Sequence, residues 1–182
     1  TAVRSWWVAV VLFLAALLSK SVTSVLPAAL LVLVWWKEGR LEKRELRGIA
    51  PLFALAIPMG LVTIWSEQQH IGAGRLDLGL EPVDRILVAG RALWFYARQL
   101  AWPSELTFIY PRWSIDTRSL VAWSFPLAAV TAIGIAWLAR HRLGRGPLAI
   151  VLLFAGTLVP ALGFIDVYPM QFSFVADHFQ YL

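Results

Sequence analysis

The residues in this chain that could do chemistry are few, and most are basic. Lys20 stands among hydroxyls, with Ser19, Ser21, Thr23 and Ser24 around it. An ammonium with neighbouring hydroxyl donors can hold a phosphate, and at a membrane face that phosphate would be lipid-linked. The alternative is a lysine that snorkels from a helix end into water. Arg91 and Arg98 recur at the seven-residue spacing that also takes in Asp84, so a helix would carry all three on one face. Two guanidinium groups there suit phosphate or sugar hydroxyls, or they form a solvated polar face against headgroups. Tyr110 and Arg112 lie in an aromatic, proline-broken segment with Phe108, Pro111 and Trp113, and are further candidates for a substrate site. Asp177-His178 offers an acid/base, two metal ligands, or a structural hydrogen-bonding pair. Adjacent residues on a helix or strand face different ways, so one of these two groups is expected to point elsewhere.

No general base can be nominated. Glu67, Glu81, Glu105 and Asp116 are carboxylates without a useful fixed spacing, and His70 and His141 are isolated. No metal-ligand set is nominated either, and metal dependence stays open. Nothing matches a phosphate-binding glycine loop, a dinucleotide fingerprint, a His-Glu-x-x-His site or a nucleophile elbow. The absence of cysteine excludes disulfides and thiolate metal sites.

The elements that must position these residues are set by apolar runs. The chain is 59% hydrophobic with a mean hydropathy of +0.69, well above the roughly 45–50% of soluble domains. Lys37, Arg40, Lys43, Arg44 and Arg47 crowd one short connector, and Arg140, Arg142 and Arg145 crowd another. Between them, residues 66–118 hold six basic and six acidic residues. Short basic connectors stay in the cytoplasm, and a long neutral loop can cross. The net charge of +5 is therefore read as topology and anionic lipid headgroups, not as nucleic-acid binding.

This pattern predicts an all-α polytopic fragment with about five membrane-embedded segments. Residues 1–65 hold transmembrane helices around a cytoplasmic basic connector at 37–47. Residues 6–18 and 22–36 are each short, so a pair of helices turning at Ser19–Ser24 is favoured over one long helix kinked near Pro27. The next span, Ile49–Trp65, carries Pro51 in its first turn. Residues 66–118 form a periplasmic or lumenal loop, irregular over 71–82. Its amphipathic helix at 84–102 sets Ile86, Leu93 and Leu100 opposite the arginine face. Residues 119–165 form a helical hairpin with spans at 120–138 and 147–165, and 166–182 start another outer-face segment. This topology puts Lys20, the Arg91/Arg98 helix and Asp177-His178 on one membrane side. The sequence starts at Thr1 without methionine and stops at Leu182 inside a continuing segment, so a piece of a longer integral membrane protein is expected.

Three segments carry a resemblance. "LLSKSVTSVLPAALLVLVWW" (17–36) is similar to the Leu-x-Lys segment before a proline-containing span in large polytopic glycosyltransferases. "RALWFYARQLAWPSELTFIYPRW" (91–113) resembles the outer-loop region of the transmembrane and tetratricopeptide-repeat O-mannosyltransferases and their bacterial relatives. "FSFVADHFQYL" (172–182) resembles that family's Ala-Asp-Arg/His-aromatic-x-Tyr-Leu segment. The three occur in the family's order and cover about a third of the chain. Lys20 matches, but it is followed by Ser21 where the family often has glutamate.

The resemblance implies a fragment of a GT-C-type glycosyltransferase in a membrane, bacterial inner membrane being the expectation. Such an enzyme takes a sugar from a polyprenyl-phosphate donor and passes it to a protein or glycan hydroxyl on the outer face. The family's catalytic aspartate would precede Thr1, and its helical repeats would follow Leu182. Lys20, Arg91 and Arg98 would then contact the lipid phosphate, with Tyr110, Arg112, Asp177 and His178 as possible substrate contacts. No cofactor beyond that donor is implied. The rival classes are a secondary transporter, which usually sets charges near the bilayer midplane, and a non-catalytic membrane scaffold.

Overall fold

The first apolar run ends as helix α1 (Ala2–Ser19), and Lys20 breaks it with an extended backbone (φ −150°, ψ 108°). A 3-10 turn, Ser21–Val25, follows. The Thr23 backbone N–H and hydroxyl both donate to the Lys20 carbonyl, at 3.1 and 2.8 Å. Helix α2 (Leu26–Glu38) then starts with Pro27, whose missing N–H costs nothing in a first turn. Pro27 therefore opens a second helix and does not kink a single long one. The computed structural model describes residues 2–67, 69, 78–104 and 106–179. Among them there are helices, turns and irregular segments, and no strand. The expected irregular stretch at 71–82, up to residue 77, and His70 lie outside the described residues, as does Glu105. The chain divides into two units, Thr1–Ser66 and Glu67–Leu182, and each is described by itself.

In the first unit, α1 and α3 (Lys43–Ser66) run in the same direction. The Trp6 indole N–H donates to the Gly48 carbonyl at 3.1 Å near both starts, and Phe13 and Leu17 bury against Leu52 and Ala56 further along. Helix α2 also packs on α3 and joins it through residues 39–42, so it runs the opposite way. The pair α1–α2 is thus a hairpin with its turn at 20–25. The basic connector is shorter than the expected 37–47: α3 already begins at Lys43, because the alternating charges of 43–47 are compatible with an exposed helical turn. Pro51 consequently lies two turns inside the helix, not in its first turn.

In the second unit, α4 (Pro82–Ala101) begins at a cap in which the Glu81 N–H donates to the Asp84 carboxylate at 2.9 Å. Asp84 caps the helix, so it is not part of a ligand-facing stripe. The helix also has a well-defined buried stripe. It comprises Val88, Ala92, Tyr96 and Gln99, whereas Ile86 and Leu100 of the expected apolar face are exposed. Neighbouring elements decide this. Gly90 meets Pro126 of α5 (Leu120–Leu143) so closely that a Cβ on it would stand 2.5 Å from the Pro126 nitrogen. The Trp94 indole donates to the Phe125 carbonyl beside that contact, at 3.0 Å.

Helix α5 is capped by Ser119 and carries Arg140, His141 and Arg142 in its last turn, where cations suit the negative end of the helix dipole. Gly144, at a left-handed φ of 77°, stops it. Helix α6 (Gly146–Leu158) is shorter than the expected 147–165 span, because Pro160 converts its end to a 3-10 turn over Val159–Ala161. Among the described residues three stretches are long and apolar enough to cross a membrane, judged by length and composition: Ser21–Glu38, α3 and α5. The second unit's core joins α4 to the end of α6 and the segment beyond it, through Ala89, Ala92, Tyr96, Leu158, Leu162 and Val175. Arg85 locks this arrangement. Its guanidinium donates to both Asp166 carboxylate oxygens, at 2.8 and 2.9 Å, and to the Gly163 carbonyl at 3.1 Å. That carboxylate raises the arginine's already high pKa further.

Candidate functional site

Three segments of the second unit meet along one side of α4. They are α4 itself, residues 106–113, and residues 173–179, where a short 3-10 turn spans Asp177–Phe179. The 173–176 stretch is buried, and Ser173 holds it by donating to the Val175 carbonyl at 2.6 Å. Tyr96 sits beneath it, fully buried. Its hydroxyl accepts from the Ala176 N–H at 3.2 Å and donates to the Ala176 carbonyl at 3.4 Å. Burial, chiefly, pushes the Tyr96 phenol up to about 12, with the nearby Asp177 charge acting in the same direction. Tyr96 is therefore a neutral structural phenol.

Asp177 is the hub of the polar side. Tyr110 donates its hydroxyl to the carboxylate, at 2.9 Å to Oδ1 and 3.0 Å to Oδ2. The Thr107 backbone N–H donates to Oδ2 at 2.9 Å. Gln99 donates to the Tyr110 hydroxyl at 2.8 Å and reaches Asp177 Oδ1 at 3.5 Å. Asp177 thus engages donors from Gln99, Thr107 and Tyr110 through its two carboxylate oxygens. It organises the loop before α5. His178 points elsewhere and stacks on Phe108, with centroids 4.9 Å apart and planes 21° off parallel. The adjacent pair thus serves two different partners and does not converge on one ion. Among the described residues no group of three or more His, Asp or Glu is placed to hold a metal.

The basic side is built on aromatic rings. The Arg91 guanidinium lies over the Trp113 ring, 4.4 Å from its centroid, and Arg112 lies over Phe174 at 4.8 Å. Trp113 and Phe174 are themselves in contact, centroids 6.3 Å apart. Phe95 packs edge-on against both Tyr110 and Trp113, at 4.8 and 6.2 Å, and so links the two sides. Among the described residues neither arginine is in an ion pair. Stacking engages the face of a guanidinium and leaves its in-plane N–H groups free to donate. Both arginines are exposed, so those donors face solvent. The arrangement can hold an anion with several acceptor oxygens.

Of the residues expected from sequence, the structure gathers Arg91, Tyr110, Arg112, Asp177 and His178. Arg98 is exposed, two residues beyond Tyr96 on α4 and outside the ring stack. Lys20 belongs to the first unit, exposed at the break after α1. Sequence reasoning missed Gln99, Thr107, Phe174 and the Arg85–Asp166 pair. Gln99 carried a usable signal, since a polar side chain on the same stripe as Val88, Ala92 and Tyr96 must find a buried partner. The partners of the other three are far apart in sequence and leave no local pattern. No protein-family model, curated protein or solved structure matches this chain.

Proposed function

We propose that this chain is part of a membrane glycosyltransferase that takes a sugar from a polyprenyl-phosphate donor and passes it to a protein or glycan hydroxyl on the outer face. The observation that carries the reading is the pair of ring-stacked arginines, Arg91 and Arg112, with their donor edges unpaired among the described residues. When the glycosidic carbon–oxygen bond breaks, negative charge builds on the departing phosphate. Cationic donors already fixed in place stabilise that charge without reorganising. Stacking supplies the fixing, because it removes the rotational freedom an arginine would otherwise lose on binding. The apolar helix α5 of the same unit supports a donor whose other end is a lipid.

A transfer assay tests this. Membranes carrying the full-length protein are supplied with a polyprenyl-phosphate-linked sugar, and transfer to the acceptor is measured for wild type and for Arg91→Ala. Turnover should fall about a hundredfold, the scale of losing one preorganised charge-stabilising donor, with membrane insertion unchanged. Lys20→Ala tests the first unit's candidate separately and should lower turnover too. Equal transfer by wild type and Arg91→Ala would remove the stacked pair from the reaction.

A further inference from the structure

We infer that the end of α4 and the loop after it, over the described residues 100–104 and 106–109, form a wedge that inserts into the surface of a lipid bilayer. The loop is turned inside out. Three of its described polar groups are tied inward: the Ser104 carbonyl accepts from Gln99, the Thr107 N–H donates to Asp177, and the Tyr110 hydroxyl at its end does the same. Its large apolar side chains are left outward. Trp102 is 74% exposed, Leu100 60%, Leu106 53% and Ile109 55%, and Phe108, though stacked on His178, is 76% exposed. Loops on soluble surfaces show the reverse arrangement, and an apolar surface of this kind marks a place where something else excludes water.

Charge and position favour lipid as that something. Arg98 and Arg112, both exposed, flank the apolar stretch, and Glu105 is its one acidic residue. Tryptophan and aliphatic residues bounded by arginine match the layer where acyl chains meet headgroups. The loop is also held at the right level. Gly90 fixes α4 against Pro126, in the second turn of α5. Helix α5 is long and apolar enough to cross a membrane, and Leu120 and Val121 are exposed from its first turn. The wedge thus continues the apolar surface of a spanning helix. A second copy of the chain fits less well, because self-pairing would set the flanking arginines of one copy against those of the other.

The chain has no cysteine, so single cysteines can be placed cleanly. Trp102→Cys and Ile109→Cys report the wedge, and Ser114→Cys, exposed and outside the apolar stretch, is the reference. The intact chain is reconstituted in vesicles of phosphatidylethanolamine and phosphatidylglycerol, and each cysteine carries an environment-sensitive fluorophore. Positions 102 and 109 should be quenched several-fold more than 114 by a spin label near the headgroup, and protected from aqueous iodide. Iodide access at 102 and 109 equal to that at 114 would overturn the wedge. Protection that grows with protein-to-lipid ratio would overturn it in favour of self-association. None of these readouts depends on sugar transfer, so the wedge and the proposed enzymatic role fail independently.

Discussion

Arg91 does two jobs that substitution can separate. Arg91→Lys keeps the charge but loses the planar contact with Trp113 and the forked donors, so it should recover only part of the activity lost in Arg91→Ala. Full recovery would mean charge alone matters there. Asp177 carries a structural prediction. Asp177→Ala strips acceptors from Tyr110, Thr107 and Gln99 and should destabilise the second unit by about 2 kcal/mol, given what hydrogen bonds to a charged group contribute. A thermal unfolding shift in detergent reads it. Tyr96 adds a pH signature. Its folded pKa of about 12 lies above the ordinary phenol value near 10. The unfolded chain therefore gives up that proton first as pH rises, and folding is weakened between those two values. Wild type should lose stability across that alkaline window more steeply than Tyr96→Phe, and equal slopes would contradict the assignment. Much of this scale was legible in sequence: Arg91, Tyr110, Arg112 and Asp177-His178 were all singled out by residue type. Their roles were not, because the division of Asp177 and His178 between Tyr110 and Phe108 depends on a loop more than sixty residues away.

At the level of elements, the contact between α4 and α5 decides which face of α4 is buried. Gly90→Ala would drive a Cβ into the Pro126 backbone, and neither helix can yield there by moving a flexible side chain. Overpacking of this kind costs about 1–3 kcal/mol. Gly134→Ala on α5, where a Cβ meets nothing within 4 Å, should cost nothing, and a difference in melting temperature between the two variants checks the pair. Helix existence was well signalled by the apolar runs and by their break at Ser19–Ser24. The seven-residue spacing of Ile86, Leu93 and Leu100 marked an apolar face of α4, but which apolar stripe is buried is chosen by the packing partner, and of these three Leu93 packs on the core. The alternating charges at 43–47 suit an exposed helical turn, and these residues form the solvated start of α3.

For the whole molecule, the basic connectors predict an orientation in the membrane. Cysteines at Lys43 and Arg142 should resist a membrane-impermeant reagent added from outside, while one at Asp116 should react. The reverse pattern would invert the topology. Composition made the apolar spanning stretches plain, but it carries no information on how the polar loop closes over α4, which rests on Arg85–Asp166 and Asp177–Tyr110 pairings across the chain. The most direct measurement is equilibrium binding of a polyprenyl phosphate to the purified chain in lipid nanodiscs, with wild type compared to the Arg91→Ala/Arg112→Ala double variant. Saturable binding by wild type, weakened about tenfold or more in the variant as loss of charge-assisted contacts requires, is the expected result. No saturable binding, or equal affinity in both proteins, would contradict the account.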